Sequence, residues 1–272
     1  YGLSSTILMQ SFAQLEERDV LLSVQRVQDI LANDLSSMDI VAHDWASWDE
    51  TYYYVTGENP AYEGENLYAQ TLVNLRLHLF IVLDASGQVR YGTSCDLDSE
   101  QLLAMPEGIA PHLAPGSRLL QGASVGSGLT GLIMLDEGPL LIVARPILTN
   151  EEAGPSHGTL LMGRYLNPAE LQRLSELAGF PLQIRRVDDP ALSHDFLTAR
   201  SAFTEQESIL VQPLGANAVA GYVLLRDIDG APSAMLRVDR PRCVSPPLSD
   251  VVPGDHRSGS TSTFTISFQV GV

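Results

Sequence analysis

The stretch HDWASWDETYYY, His43 to Tyr54, contains both tryptophans of the chain, three of its nine tyrosines and two aspartates. It ends a run in which apolar residues recur every seven positions on two seams, at Val20, Val24, Val27, Leu31, Met38, Val41, Trp45, Trp48 and Tyr52. Asp34 interrupts the pattern, and neither proline nor glycine occurs from Leu3 to Thr56. This spacing predicts one continuous helix of about 50 residues, roughly 75 Å long.

A helix of this length exceeds the width of a small domain and has to bury its apolar stripe. We expect its first half to pair with a second copy of the chain through Val24, Leu31 and Met38, which would make a homodimer. For the half after Met38, a core helix of one domain and a stalk are both open interpretations.

Beyond the turn-rich residues 57–60 the pattern changes from helix to strand. A β-hairpin is predicted from two strand-like segments, residues 77–84 and 89–94, joined by a turn that contains Ser-Gly. A short helical piece is predicted at residues 98–105. Three more strands are predicted at residues 130–135, 140–148 and 158–166. Hairpin-connected strands of this kind suit one antiparallel sheet covered by the long helix. The fold class is therefore α+β, of the kind seen in PAS-like and Cache-like sensor folds.

A second, smaller part of the chain is predicted to follow. Asn167 and Pro168 supply the cap and first residue of a helix that runs to Ala178 and stops at Gly179. Strand-like segments follow up to residue 243. We expect four regions: a helix at 1–56, a sensor subdomain at 57–166, a smaller strand-rich α/β subdomain at 167–243, and an irregular tail at 244–272 with one possible strand.

The composition excludes several classes of function. A net charge of −17 and a pI near 4.5 argue against binding to nucleic acid or to an anionic membrane surface. All 16 basic residues are arginine, so a Schiff-base lysine and a P-loop lysine are excluded. The two cysteines and six histidines show no metal-binding spacing, and we expect neither metal nor cofactor. No apolar run reaches the length of a membrane span, and the chain starts at Tyr1, so we expect a fragment or a processed chain.

Several segments resemble the CHASE4 family of extracytoplasmic sensory domains. The resemblance covers about Phe12 to Arg242 and depends on HDWASWDETYYYV, ENLYAQTLVNLRLHLFIVLDASGQVRYG, LIVARPI, GTLLMGRYL and AGYVLLRDIDGAP, among which D-W-x-x-W-D-x-T-Y is the most specific element. The resemblance implies a periplasmic or extracellular domain of a bacterial or archaeal receptor. Such a domain lies between two membrane helices, which this chain lacks, and controls a diguanylate cyclase, a phosphodiesterase or a histidine kinase. The subdomain at 57–166 would be membrane-distal and that at 167–243 membrane-proximal.

The candidate ligand site lies at the aromatic end of the helix. Helical spacing would place Trp45, Trp48, Asp49 and Tyr52 on one face, where two indoles, a phenol and a carboxylate can wall a pocket for an unknown small molecule. Arg145 and Arg164 end apolar strands and need a carboxylate partner, for which we name Asp49, Asp44 or a ligand's acid group. We expect Asp49 to reach one of these arginines and a cavity to border Trp45 and Tyr52. A purely architectural role of these residues is the alternative.

Two other functions compete with ligand sensing. Gly122 to Gly126, GASVG, fits the G-x-S-x-G motif of serine hydrolases, but that motif needs a strand before the serine and a helix after it. The surrounding sequence instead predicts a glycine-rich loop followed by a strand. A purely structural dimerisation module would explain the long helix but not the aromatic cluster. We therefore expect a sensory domain that is not itself an enzyme.

Overall fold

The computed structural model describes residues 2–124, 128–152, 154–204 and 206–242. The long helix α1 spans Gly2–Ala46, and a separate helix α2 spans Asp49–Thr56. The prediction of one continuous helix to Thr56 is therefore wrong. The chain leaves α1 at Ser47, and Trp48 adopts an extended conformation with φ −95° and ψ 129°. The Leu148 backbone amide donates to the Ala46 carbonyl oxygen at 3.0 Å, so a residue far along the chain satisfies a carbonyl group at the end of α1.

A six-stranded antiparallel sheet follows two short helices. The helices are α3 (Tyr62–Asn66) and α4 (Ala69–Leu75), and the strands are β1 (Leu79–Asp84), β2 (Val89–Asp96), β3 (Gln101–Leu103), β4 (Leu129–Leu135), β5 (Gly138–Pro146) and β6 (Gly158–Tyr165). The spatial order is β3-β2-β1-β6-β5-β4. The helical piece predicted at residues 98–105 is instead the short edge strand β3. Its three residues are exposed and pair with the end of β2.

The sheet has a buried core on each face because successive side chains of a strand point to opposite sides. On one face Leu79, Ile81 and Leu83 of β1 pack with a 3-10 helix, Glu107–Leu113, and with helix α5, Arg118–Ser124. On the other face Phe80 contacts Trp45 near the end of α1, with 5.6 Å between ring centroids. The sheet thus separates the aromatic end of α1 from the helices that follow β3.

A smaller unit contains a second sheet of four strands. Its elements are α6 (Pro168–Ala178), β7 (Leu182–Arg186), α7 (His194–Ala202), β8 (Ile209–Pro213), β9 (Ala218–Arg226) and β10 (Pro232–Pro241), and the strand order is β7-β10-β9-β8. Its core includes Phe196, Tyr222 and Met235. Helix α6 starts at Pro168 and is followed by Gly179 at φ +87°, as its capping residues predict.

The described chain divides into two compact units. The larger contains residues 31–167 and the turn 226–233, and the smaller contains residues up to 30, 168–225 and the segment from 234. The turn 226–233 counts with the larger unit because Ile228 is buried in that unit's core. The predicted tail 244–272, with its possible strand, lies outside the described residues.

The heptad seam of α1 is buried within a single chain. Val24 is fully buried, and Leu31 and Met38 are 6% and 2% exposed. In the smaller unit the reason is Gly221 of β9, because a Cβ at that position would lie 2.4 Å from Val24 Cγ2 and 2.8 Å from Val20 Cγ1. Only a glycine lets the helix approach the strand so closely. The expectation that Val24, Leu31 and Met38 pair with a second copy is therefore wrong, since these side chains belong to the core of one chain.

Candidate functional site

An aromatic cluster joins the end of α1, helices α2 and α3, and the start of the sheet. Trp45 meets Trp48 edge to face at 6.0 Å between ring centroids, and Trp48 in turn lies 6.1 Å from Tyr62. Tyr54 stacks on Tyr62 at 4.8 Å with an interplanar angle of 20°. Offset and edge-to-face contacts of this kind stabilise a cluster beyond the burial of its area. Trp45, Trp48 and Tyr54 therefore belong with Tyr62 to one connected layer.

Hydrogen bonds fix the phenols of this layer. Thr51 Oγ1 lies 2.8 Å from the Tyr62 hydroxyl, and the Tyr54 hydroxyl donates to Glu63 Oε1 at 2.5 Å. Burial raises the pKa of Tyr62 to about 12, although the hydrogen bond with Thr51 acts to lower that pKa. Burial, and next the hydrogen bond to Glu63, raise the pKa of Tyr54 further above its ordinary value. Tyr54 therefore stays protonated near neutral pH and donates its hydrogen bond to Glu63.

The two predicted arginines have partners other than Asp49. Arg145 Nε donates to Asp39 Oδ1 at 2.7 Å, and its Nη2 makes a second contact to the same carboxylate. Arg164 lies 3.6 Å from Asp34 and donates to the Arg76 and Leu75 carbonyl oxygens at 2.9 and 3.2 Å. Both aspartates belong to α1. The expectation that Asp49 reaches Arg145 or Arg164 is wrong, because Asp39 and Asp34 of α1 supply the carboxylates instead.

Asp49 instead attaches helix α2 to the loop between β5 and β6. Its carboxylate accepts the Asn150 backbone amide at 2.8 Å, and its own backbone amide donates to Asn150 Oδ1 at 3.1 Å. This reciprocal pair replaces the side-chain cap that Trp48 cannot supply at the start of α2. Tyr52 contacts His157 of the same loop, with 4.7 Å between ring centroids. The six predicted site residues are thus distributed between the aromatic layer and polar contacts to α1 and this loop.

A cleft of about 340 Å³ opens beside the same layer, between α2, α3 and the start of β2. Tyr54 and Gly57 border it from α2, and the turn residues Asn59 and Pro60 continue that wall. Glu63 of α3 and Val89 and Arg90 of β2 complete it. The charge of Arg90 is near enough to act on the Tyr54 phenol, and it lowers that phenol's pKa against the larger effects of burial and of Glu63.

This cleft is not the cavity that the sequence predicts beside Trp45 and Tyr52. None of Trp45, Trp48, Asp49, Tyr52, Arg145 and Arg164 lines it. Sequence reasoning missed Tyr54, Glu63 and Arg90. The available signals were a tyrosine next to a glycine-containing turn and an exposed arginine at the start of a strand, which are weak because both are common at surfaces. Whether the six predicted residues bind a ligand stays a prediction.

The serine motif has the opposite context to that of a hydrolase. Helix α5 runs into Ser124 from Arg118, and β4 begins at Leu129. A nucleophile elbow requires a strand before the serine and a helix after it. Val125 and Gly126 of the motif lie outside the described residues.

Two solved structures share the fold. One is the extracellular domain of a protein assigned as the histidine kinase vpHK1S-Z8, which is 13% identical with a TM-score of 0.56 over 85% of this chain and 93% of that chain. The other is a domain of a sensory box/GGDEF family protein from Vibrio parahaemolyticus, 13% identical with a TM-score of 0.52 over 84% and 97% of the two chains. These likenesses show the fold and confirm the predicted α+β, PAS/Cache-like fold class.

A family model described as the CHASE4 domain matches residues 30–185. The chain belongs to the CHASE4 family, as its sequence motifs predict, and is a sensory domain. It is 29% identical over 236 residues to the methanogenesis regulatory histidine kinase FilI of Methanothrix harundinacea. The match covers 87% of this chain and 26% of that kinase, so the chain spans about a quarter of its curated relative. Within the described residues, no helix is both long and apolar enough to cross a membrane.

Proposed function

We propose that this chain is the extracytoplasmic sensory part of a membrane-bound signalling receptor and that its larger unit binds a small molecule. The observation that carries the proposal is the CHASE4 match over residues 30–185, which includes all six strands of the larger sheet. The relative FilI is named as a regulatory histidine kinase and is about four times as long as the matching part. An output activity would therefore belong to segments of the receptor other than this domain.

The contacts of α1 suggest how binding would be passed on. Asp39 and Asp34 attach two successive parts of α1 to Arg145 of β5 and Arg164 of β6. A ligand that binds one arrangement of the sheet more tightly than another would shift the position of this helix, and only its differential affinity for the two arrangements drives that shift. The aromatic layer of Trp45, Trp48 and Tyr62 provides a second connection between the helix end and the sheet.

A screen of small metabolites against the purified chain tests the proposal. A compound that binds the folded state raises the unfolding temperature, because it stabilises by RT ln(1 + [L]/Kd), about 2.7 kcal/mol at 100 times Kd. The same compound should change the output of the full receptor in membrane vesicles when added on the side of this domain. If no compound binds the chain, or if a binding compound acts only from the opposite side, the proposal fails.

A further inference from the structure

We infer that the cleft between α2, α3 and β2 binds a small zwitterion, a molecule with one carboxylate and one ammonium group joined by a short apolar part. This inference rests on the proposed function, and it assigns to that function a place and a class of ligand. The volume of about 340 Å³ lies at the lower end of the range for small-molecule sites. The cleft is thus large enough for a compound of amino-acid size.

The charges of the cleft disfavour a ligand that carries only a negative charge and one that carries only a positive charge. Arg90 makes no side-chain hydrogen bond or ion pair with any residue that the structure describes, so its guanidinium can take a ligand carboxylate in two parallel hydrogen bonds. Glu63 has one oxygen bound by the Tyr54 hydroxyl at 2.5 Å, which orients the carboxylate at the same cleft. A simple anion meets repulsion from Glu63 and from a chain of net charge −17, and a simple cation meets repulsion from Arg90. A zwitterion satisfies both groups at once.

The remaining wall of the cleft is mixed, since Asn59 is polar and Val89 and Pro60 are apolar. Val89 is 41% exposed although it begins a strand, and Pro60 borders the same space. Tyr54 is held in place by stacking on Tyr62, and its hydroxyl fixes the Glu63 carboxylate, which can accept hydrogen bonds from an ammonium group. Gly57 ends α2 at φ +89°, and no atom lies within 4 Å of where its Cβ would be. The absence of a side chain there leaves the mouth of the cleft open.

Isothermal titration of the purified chain with matched compounds tests the ligand class. The zwitterions are glycine, L-leucine and 4-aminobutyrate, which differ in apolar size and in the spacing of their charges. Each is compared with the acid that lacks its ammonium group (acetate, 4-methylpentanoate, butyrate) and with the amine that lacks its carboxylate (methylamine, 3-methylbutylamine, propylamine). We expect at least one zwitterion to bind, and its acid and amine to bind at least tenfold more weakly.

Two variants locate the binding in the cleft. Arg90→Gln should weaken the bound zwitterion at least tenfold. Glu63→Gln should weaken it as well, yet should strengthen binding of the matching acid, because a repulsive charge is removed. The controls are Arg118→Gln and Glu65→Gln, since both residues are exposed and neither borders the cleft. Both control variants should bind as the unchanged chain does.

The outcomes separate this inference from the proposed function. If an acid or amine binds as tightly as its zwitterion, if no zwitterion binds, or if Arg90→Gln leaves binding unchanged, the inference is wrong. When the metabolite screen meanwhile finds a ligand of another charge class, the sensory function stands and only its site and ligand class are overturned. When the screen finds none, the proposed function falls with it.

Discussion

Arg164 is a buried charge whose partners come from α1 and from the end of α4. The residue is 6% exposed, and it contacts Asp34 of α1 as well as the last carbonyl groups of α4. A guanidinium at this position also opposes the negative end of the α4 dipole. Its removal would leave both an acid and helix-terminal acceptors with fewer partners.

Replacing Arg164 by methionine, which keeps much of the aliphatic length, should therefore lower the free energy of unfolding by about 3 kcal/mol. Urea denaturation followed by circular dichroism measures the change. Arg118→Met is the matched control, because Arg118 is exposed, and it should change stability by less than about 0.5 kcal/mol. A loss below about 1 kcal/mol for Arg164→Met would mean that the ion pair and the carbonyl contacts contribute little.

The sequence identifies the two arginines but not their partners. Each ends an apolar strand, so the need for an acid could be predicted. The acid itself could not, because Arg145 and Asp39 are 106 residues apart and pairing at that separation depends on how the helix lies on the sheet. Asp34 could have been identified from the sequence as a candidate partner, because it interrupts an apolar seam and a polar residue in such a seam often has a buried partner.

Asp195 links helix α7 to the second sheet. Its Oδ2 accepts from the Tyr222 hydroxyl at 2.7 Å and from Arg237 Nη1 at 2.6 Å. Burial on its own raises the pKa of Asp195, but hydrogen bonds from Ser193, Tyr222 and Arg237 together outweigh it and leave the pKa well below its ordinary value. The carboxylate therefore stabilises the fold above an ordinary aspartate pKa of about 3.9, and this contribution is lost as the pH falls further.

Asp195→Asn should accordingly destabilise the smaller unit most at pH 7, by about 2 kcal/mol, since Arg237 keeps Asp239 as a partner. The difference from the unchanged chain should shrink only slightly by pH 3.5, because the carboxylate then begins to protonate in the unfolded chain while the native carboxylate, with its lowered pKa, stays charged. Urea unfolding at pH 7, 5 and 3.5 measures it, with the exposed Asp98→Asn as control. A difference that at pH 3.5 has fallen to less than half its value at pH 7 would contradict the assigned pKa shift, because a carboxylate with a strongly lowered pKa is still charged there.

At the scale of elements, the break between α1 and α2 shows where periodicity stops being informative. Heptad spacing continues through Ser47 and Trp48, and no glycine or proline marks the site. The chain nevertheless leaves the helix there, because Leu148 and Asn150 of a distant loop bind the exposed backbone groups on both sides. Five of the six strands of the larger sheet, and helix α6, were predictable because their signals are local: apolar strand-like runs, turn residues and caps. The cleft was not, since its walls come from a turn and a strand that meet only in the folded chain.

The contact between α1 and β9 gives a test at the same scale. Gly221→Ala would place a Cβ 2.4 Å from Val24 Cγ2, and such overpacking costs about 1–3 kcal/mol. Val24→Ala removes the nearer of the two clashing groups, while Val20 Cγ1 stays 2.8 Å from the new Cβ, and it loses buried methyl groups, at about 2 kcal/mol on its own. The double variant should be less destabilised than the sum of the two single variants, by at least about 1 kcal/mol. Strictly additive losses in urea unfolding would mean that the helix does not lie against Gly221 in solution.

At the scale of the whole molecule, the two units can be observed separately. Both tryptophans, Trp45 and Trp48, belong to the larger unit, so tryptophan fluorescence reports on that unit, whereas far-ultraviolet circular dichroism reports on both. Ile228 lies in the turn between β9 and β10, two strands of the smaller sheet, and yet it is 3% exposed in the core of the larger unit. Its backbone amide donates to the Leu132 carbonyl oxygen at 2.9 Å. A residue far along the chain from β6 thus completes the larger unit's core.

Ile228→Ala should lower the stability reported by tryptophan fluorescence by about 3 kcal/mol, because it removes a buried side chain that packs over Gly131. The matched control is Ile184→Ala, since Ile184 is buried in β7 of the smaller unit. It should shift the circular dichroism transition while changing the fluorescence midpoint much less. If Ile184→Ala moves the fluorescence midpoint as far as Ile228→Ala does, the two units unfold in one cooperative transition, and the division seen in the fold is not a division in stability.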